Sequence, residues 1–393
     1  MVDDSMTPEL HFSRAEHEDR VARTRRALAE RGLDALLVFA QESHFYLTGY
    51  DTQGYVFFQC AVLTADDQPI TLLTRRPDKQ QAHRTSIIPD IRIWYDAEDA
   101  DPAVDLRDIL AEKGLAGGRI GIELNTYGLT GAAHDKVRRA LDGWCTLEDA
   151  SDVVRSLRLV KSPAELGYVR GAARLADDAL LAMIDAARPG ALDTAVSAAG
   201  LSVMLGGGGD VPPSGPLVNS GPRALYGRSV AGPHPIEERD QVTIEFAAAF
   251  HRYTVCIMRT AVVGPAAPVQ EEMFRLVKEA ILAMTEAAVP GQPIGRIDDA
   301  HRRVFDAAGH TVNRFAACGY ALGATYRPSW MDVPPMLYSG NSLVAAPGMV
   351  FFLHAMLADA ASGYAMSLGH TLVITEDGRE VLSKLPLDLP VNA

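Results

Sequence analysis

The sequence predicts an α/β protein of two domains: an N-terminal domain built on a mixed sheet and a larger C-terminal α+β domain. Three observations carry this. The chain has 393 residues, room for two domains, or three at most, at about 150 residues each. Helix and strand signals alternate over the first 150 residues. Around 150–165 the texture changes to long helices, and the remainder is β-rich.

Taken in order, residues 14–32 read as an amphipathic helix with Val21 and Leu28 at helical spacing and Gly32 at its end. Strand-length apolar runs follow at 33–39, 55–64, 70–74, 91–95 and 119–124, with helical stretches between several of them. Ser162-Pro163-Ala164-Glu165 is a helix start: Ser162 caps, Pro163 suits the first turn and Glu165 completes a capping box. That helix runs to about Ala187, where Arg188-Pro189-Gly190 stops it. A second helix runs from near Asp193 into the four glycines 206–209. Strands are expected at 241–249 and 253–263, helices at 267–288 and 294–308, then strands at 349–357 and 370–375 and a short final hairpin.

Composition excludes several classes. Lys plus Arg is 37 and Asp plus Glu is 50, a formal net charge of −13. Such a balance argues against nucleic-acid binding and against a basic membrane-surface module. With 48% hydrophobic and 22% charged residues the chain is an ordinary globular protein, not a disordered one. No apolar run approaches the roughly 18 residues of a membrane span. The opening MVDDSMTPEL is acidic and polar, unlike a signal peptide, so a cytoplasmic protein is expected. Cys60, Cys145, Cys256 and Cys318 are far apart and form no CxxC pair, which argues against a zinc ribbon, a redox motif or a disulfide framework.

The common chemical motifs, HExxH, GxSxG, the Walker loop and GxGxxG, are absent. The glycines 206–209 follow a helix instead of opening one, so they read as a terminator and not a phosphate loop. Ordered segments carry more information. RLVKSPAEL (158–166), NSG (219–221), DQVTIEF from Asp240, Tyr253 with Arg259-Thr260, CGYALG (318–323), PGMVFFLH (347–354) and TLVITEDG (371–378) occur with set spacings. In these segments the chain resembles the pita-bread family of creatinase, prolidase and Xaa-Pro aminopeptidases. FYLTGYD (45–51) extends the resemblance into the first domain. The resemblance implies a creatinase-like α/β domain over 1–157 and a pita-bread domain over 158–393.

In metal-dependent members of that family two Asp, one His and two Glu bind two divalent metals. At the matching positions this chain has Glu245, Cys256, Tyr320, His354 and Gly369, the last beside His370. Tyr and Gly cannot supply the hard oxygen ligands of a two-metal hydrolase, so no dinuclear metal centre and no cofactor are expected. A lone zinc on Glu245, Cys256 and His354 is the minor alternative. The chain is most similar to the metal-independent, ectoine hydrolase-like branch, through Glu245 and through the segments 11–28 and 319–330. It departs from that branch too. The branch's catalytic His, twelve residues before Asp240, is Arg228 here, and another family His is Arg327.

Side chains alternate along a strand, so Thr243, Glu245 and Ala247 share one face, as do Thr254, Cys256 and Met258 on the next strand. If the hairpin forms, Glu245 and Cys256 line one cavity. His354 is the acid/base candidate, Glu245 a base or an orienting group, Cys256 a nucleophile and Tyr320 an oxyanion donor. A buried structural ion pair is the competing reading for Glu245, and core packing for His354, Cys256 and Tyr320. Arg228 and Arg327 suit a carboxylate, and with Glu245 they leave the pocket at +1. His370, Tyr326 and Trp330 are expected to line or cover the substrate. His44, Tyr46, Tyr50, Asp51 and Tyr55 fall in an N-terminal loop region. By the resemblance, a homodimer would bring some of these, Tyr50 and Tyr55 among them, to the neighbour's pocket.

The expected function is metal-independent hydrolysis of a C–N bond in a small anionic or zwitterionic nitrogen metabolite, such as an ectoine- or creatine-like compound. A lyase, decarboxylase, isomerase or cyclase on the same scaffold is the alternative, and an inactive binding protein the third reading.

Overall fold

A computed structural model describes residues 7–392. The chain divides into two compact units, Met1–Arg158 and Leu159–Ala393.

The first unit runs α1 (Arg14–Arg31), β1 (Ala35–Val38), α2 (Gln41–Thr48), β2 (Cys60–Thr64), β3 (Thr71–Arg75), α3 (Lys79–Thr85), β4 (Asp90–Trp94), α4 (Pro102–Glu112), β5 (Arg119–Ile122), α5 (Gly131–Leu141), β6 (Thr146–Asp149) and α6 (Ser151–Leu159). Its sheet has the order β4-β3-β2-β1-β5-β6, antiparallel at β1–β2 and β2–β3 and parallel elsewhere. Alternation on the buried strands builds two cores. Leu36, Val38, Ala61 and Leu63 pack with Val21 and Leu28 of α1 and Val154 of α6 on one face. Ala35, Leu37, Cys60 and Val62 pack with Leu106 and Leu110 of α4 and Val137 of α5 on the other.

Two expectations change here. The run 55–64 is a strand only from Cys60, because β1 offers four residues to pair with; Gly54–Val56 forms a single 3₁₀ turn instead. The region expected to be a loop around His44 and Tyr46 is the helix α2. The N-cap residue Ala40 makes no side-chain cap, and buried Glu123, just beyond β5, instead anchors the backbone that enters the helix. Its carboxylate accepts from the Phe39 N–H at 2.9 Å, the Ala40 N–H at 2.8 Å and the Ser43 hydroxyl at 2.6 Å.

The second unit runs α7 (Pro163–Ala186), α8 (Asp193–Gly206), β7 (Leu217–Ser220), β8 (Gln241–Phe250), β9 (Tyr253–Val263), α9 (Pro268–Ala287), α10 (Gly295–Ala307), β10 (Gly319–Ala321), β11 (Val350–Asp359), β12 (Tyr364–Thr375), β13 (Gly378–Val381) and β14 (Val391–Asn392). The capping box at Ser162 and Glu165 forms. The sheet has the order β10-β11-β12-β9-β8-β7, with β13 on β12 and β14 on β9. Helix α7 packs on β8 and β9, and α9 packs on β11 and β12. Leu353, Leu368 and Leu372 join Val277, Ile281 and Met284 of α9 in the main core.

The hairpin joining β8 to β9 turns through His251 (φ 49°) and Arg252 (φ 70°), with Phe250 opposite Tyr253. Both turn residues have positive φ, the backbone a tight two-residue hairpin needs. This turn sets the register that puts Glu245 opposite Met258 and Ala247 opposite Cys256. Among the described residues, no helix is long and apolar enough to cross a membrane.

Candidate active site

One face of the second sheet carries the helices; the other carries the chemistry. Pairing across the sheet lines up Leu217, Glu245, Met258, Gly369 and His354 in one transverse row. Two residues along lies a second row on the same face, with Cys256, Thr371, Phe352 and Tyr320. Strands β8 and β11 are buried along most of their length, and Glu245 and His354 are interior positions where each stays partly accessible. These two openings in an otherwise sealed surface locate the site.

Glu245 is enclosed enough that burial pushes its carboxyl up to about 7, against the opposing pull of the Arg228 charge and of the Tyr320 hydroxyl. That hydroxyl donates to Glu245 Oε1 at 3.4 Å, and Trp330 Nε1 donates to the Tyr320 oxygen at 2.8 Å. The Trp330 carbonyl accepts from the Thr254 hydroxyl at 3.2 Å, which fastens the loop that carries it to β9. Cys256 is fully buried, and its amide and carbonyl are both bonded to the Thr371 hydroxyl, at 3.1 and 2.8 Å. Burial and the neighbouring Glu245 push its thiol well above the ordinary range. A thiol held protonated is a poor nucleophile, which argues against the nucleophile role expected of Cys256.

His354 is pulled down to about 4, chiefly by burial. At neutral pH its imidazole is uncharged, with one ring nitrogen to donate and one to accept, so it does not titrate near working pH as the acid/base role expected of it supposed. The group poised near neutrality is Glu245. The His354 ring lies 5.5 Å from Phe352 and 6.1 Å from Tyr320, so the floor between the rows is aromatic.

The other expected site residues divide. Arg228 is exposed, yet its charge reaches Glu245. Arg327 is exposed on the loop before Pro328. Tyr326 is buried at the β8–β9 turn, where the Arg252 guanidinium sits 5.0 Å from its ring, because the strand-end bridge Tyr253–Ala324 draws this segment to the turn. Trp330 is buried, with its indole spent on Tyr320 and not spread as a wall. His370 is a correction: it follows Gly369 on β12, so alternation turns it to the helix side, where its Nε2 bonds the Thr285 hydroxyl at 2.8 Å. Tyr50 and Tyr55 are corrections as well. Tyr50 belongs to the first unit's core and Tyr55 is buried, so neither presents a free ring to a second subunit.

Two features escaped sequence reasoning. Phe352, two residues before His354, occupies the space beside Gly369; strand alternation could have revealed it. Behind His354, buried Asp298 stands 3.4 Å from His301 Nδ1 and accepts from Arg302 Nε at 2.6 Å and from the Ser339 N–H at 2.9 Å. The i, i+3, i+4 spacing of Asp298, His301 and Arg302 on α10 was the available signal. Among the described residues, no three His, Cys, Asp or Glu side chains group closely enough to hold a metal ion.

With this geometry in view, comparison with known proteins is direct. Residues 167–376 match the metallopeptidase family M24, and residues 20–160 match the creatinase/prolidase N-terminal domain. An uncharacterised hydrolase/peptidase of Sinorhizobium fredii is 26% identical over 398 residues, covering 98% of this chain and 99% of its own. The ectoine hydrolase of Halomonas elongata is 28% identical over 401 residues, with 98% and 99% covered. The crystal structure of a prolidase from Thermococcus sibiricus superposes with a TM-score of 0.85 at 19% identity, over 95% of this chain and 99% of that one, which shows a common fold.

Proposed function

Because this chain belongs to the metallopeptidase family M24 and carries a creatinase/prolidase N-terminal domain, we propose that it hydrolyses a C–N bond of a small nitrogen metabolite, and does so without a dinuclear metal centre. The observation that carries this reading is Glu245, a carboxyl poised near neutrality on the accessible face and hydrogen-bonded to Tyr320.

The donor set does not fit two dications. Of the five matching positions only Glu245 offers a carboxylate. Tyr320 is spent between Trp330 and Glu245. A Cβ at Gly369 would stand 2.6 Å from Phe352 Cζ, so the space for an acidic ligand there is filled by an aromatic ring. No step of the reaction is therefore routed through a metal.

The groups present supply a simpler sequence. Ionised Glu245 takes a proton from water as the water oxygen bonds to the amidine or amide carbon. As Glu245 takes up that proton it no longer needs the Tyr320 hydroxyl, which is released to donate to the charge that develops at the attacked centre. Protonated Glu245 returns the proton to the leaving nitrogen as the C–N bond breaks. Neutral His354 holds a substrate N–H or the water by accepting its hydrogen bond. The aromatic floor and Glu245 suit an amidinium or ammonium end, and Arg228 at the rim suits a carboxylate, so a small zwitterion is the substrate class. The likeness to ectoine hydrolase supports trying ectoine first, with creatine beside it.

Incubation with ectoine and with creatine in oxygen-18 water tests this. The reading expects one labelled oxygen in the ring-opened or cleaved product. Turnover without label would establish a lyase or isomerase instead.

A further inference from the structure

Trp330 Nε1 stands 2.8 Å from the Tyr320 oxygen, and Tyr320 Oη stands 3.4 Å from Glu245 Oε1. The direction of this chain is set by chemistry. An indole nitrogen only donates, and an ionised carboxylate only accepts. While Glu245 is ionised, the phenol between them accepts from Trp330 and has its single proton to send to Glu245, the stronger acceptor of the two groups beside it, the other being the Cys256 sulfur. Trp330 is in turn held by its own backbone, through Thr254 of β9. Its ring is buried.

We propose that Trp330 is a positioning residue: its N–H fixes the Tyr320 hydroxyl proton toward Glu245 and the reacting group. This rests on the reading of Glu245 and Tyr320 as the site's acid–base pair. The groups facing Glu245 are Arg228 from the exposed loop, Cys256 of β9 and Tyr320 of β10.

The test needs no substrate. The three tryptophans give three indole N–H resonances in a nitrogen-15 spectrum, and loss in Trp330→Phe identifies one of them as Trp330. That variant keeps an aromatic ring and removes only the donor. The Glu245 carboxyl is followed by carbon-13 labelling and identified by Glu245→Gln. In the unaltered protein the Trp330 indole resonance should move with pH at the Glu245 midpoint, a measurement that holds even if a variant folds poorly. In Tyr320→Phe the resonance should stop responding. Trp330→Phe should raise the Glu245 midpoint, as Tyr320→Phe does, by about 0.4–1 pH unit, the range a neutral hydrogen bond supports. An indole that ignores Glu245, with Trp330→Phe leaving the midpoint in place while Tyr320→Phe moves it, overturns the positioning role and spares the acid–base pair. A Glu245 midpoint unmoved by Tyr320→Phe overturns both.

Discussion

Glu245 and His354 stand in one transverse row of the second sheet, with Met258 and Gly369 between them. Three strand spacings separate their backbones, about 14 Å, so the two side chains project from one face with room for a small ligand between them. Their environments move them in opposite senses: Glu245 up to about 7 and His354 down to about 4. At neutral pH one end is a carboxyl shared between its two protonation states and the other a neutral imidazole. That pairing suits proton exchange at one side of a C–N bond and uncharged hydrogen bonding at the other.

Turnover should therefore fall as pH drops through about 7, because protonated Glu245 cannot take a proton from water. Arg228→Gln removes the charge that favours ionised Glu245, so the acidic limb should move to higher pH. The move should stay under about one pH unit, since Arg228 is exposed and screened. Glu245→Gln should abolish the limb and cost about 100-fold or more in kcat. A pH–rate series on ectoine checks all three.

Cys256 should be unreactive in the folded protein. Cys60, Cys256 and Cys318 are buried with thiols pushed well above the ordinary range, while Cys145 is partly accessible. A chromogenic disulfide reagent at pH 7 should titrate one thiol in the native protein and four after denaturation. Cys256→Ala should keep turnover within a few-fold.

Gly369 should tolerate no side chain. A Cβ there meets Phe352 Cζ at 2.6 Å and the Leu353 carbonyl at 3.0 Å, one a packed ring and the other backbone. Gly369→Ala should destabilise by about 1–3 kcal/mol in urea unfolding. Gly369→Ala combined with Phe352→Leu should recover part of that loss, because the ring is the nearer obstacle.

Stability should fall with acid below about pH 6.5. His17 and His354 are pulled down to about 4, and His44 and His370 to about 3, all chiefly by burial. Between those values and 6.5 the unfolded chain binds more protons than the folded one, so each drop in pH favours unfolding. Glu245, raised to about 7, and buried Glu123, also pushed up by burial, act the other way, binding more protons folded than unfolded, and offset part of the histidines' effect. His354→Gln should flatten the loss by up to about 1.4 kcal/mol per pH unit over this range, measured by denaturant midpoints.

Much of the fold was legible because its signals are local. The Ser162–Glu165 capping box, Gly32 at the end of α1 and the alternation through Glu245 and Cys256 each depend on neighbours in sequence. Helix α2 was not legible, since its start is anchored by Glu123, which accepts from the Ser43 hydroxyl 80 residues away. The site was half legible. Position and alternation put Glu245, Cys256, Tyr320 and His354 on one face. Their protonation states depend on burial, which moves the group that titrates near neutrality from His354 to Glu245. His370 was misplaced by a single residue of strand register, enough to turn it from the site to the helices.

The central claim is that this family member works around Glu245 and not around two metals. Metal analysis of the purified protein by mass spectrometry, after dialysis against a chelator and with turnover followed on the same sample, tests it most directly. The account expects substoichiometric metal and a rate that neither chelation nor added manganese, cobalt or zinc changes. Two divalent ions retained per chain, with turnover lost on their removal and recovered on their return, would contradict it.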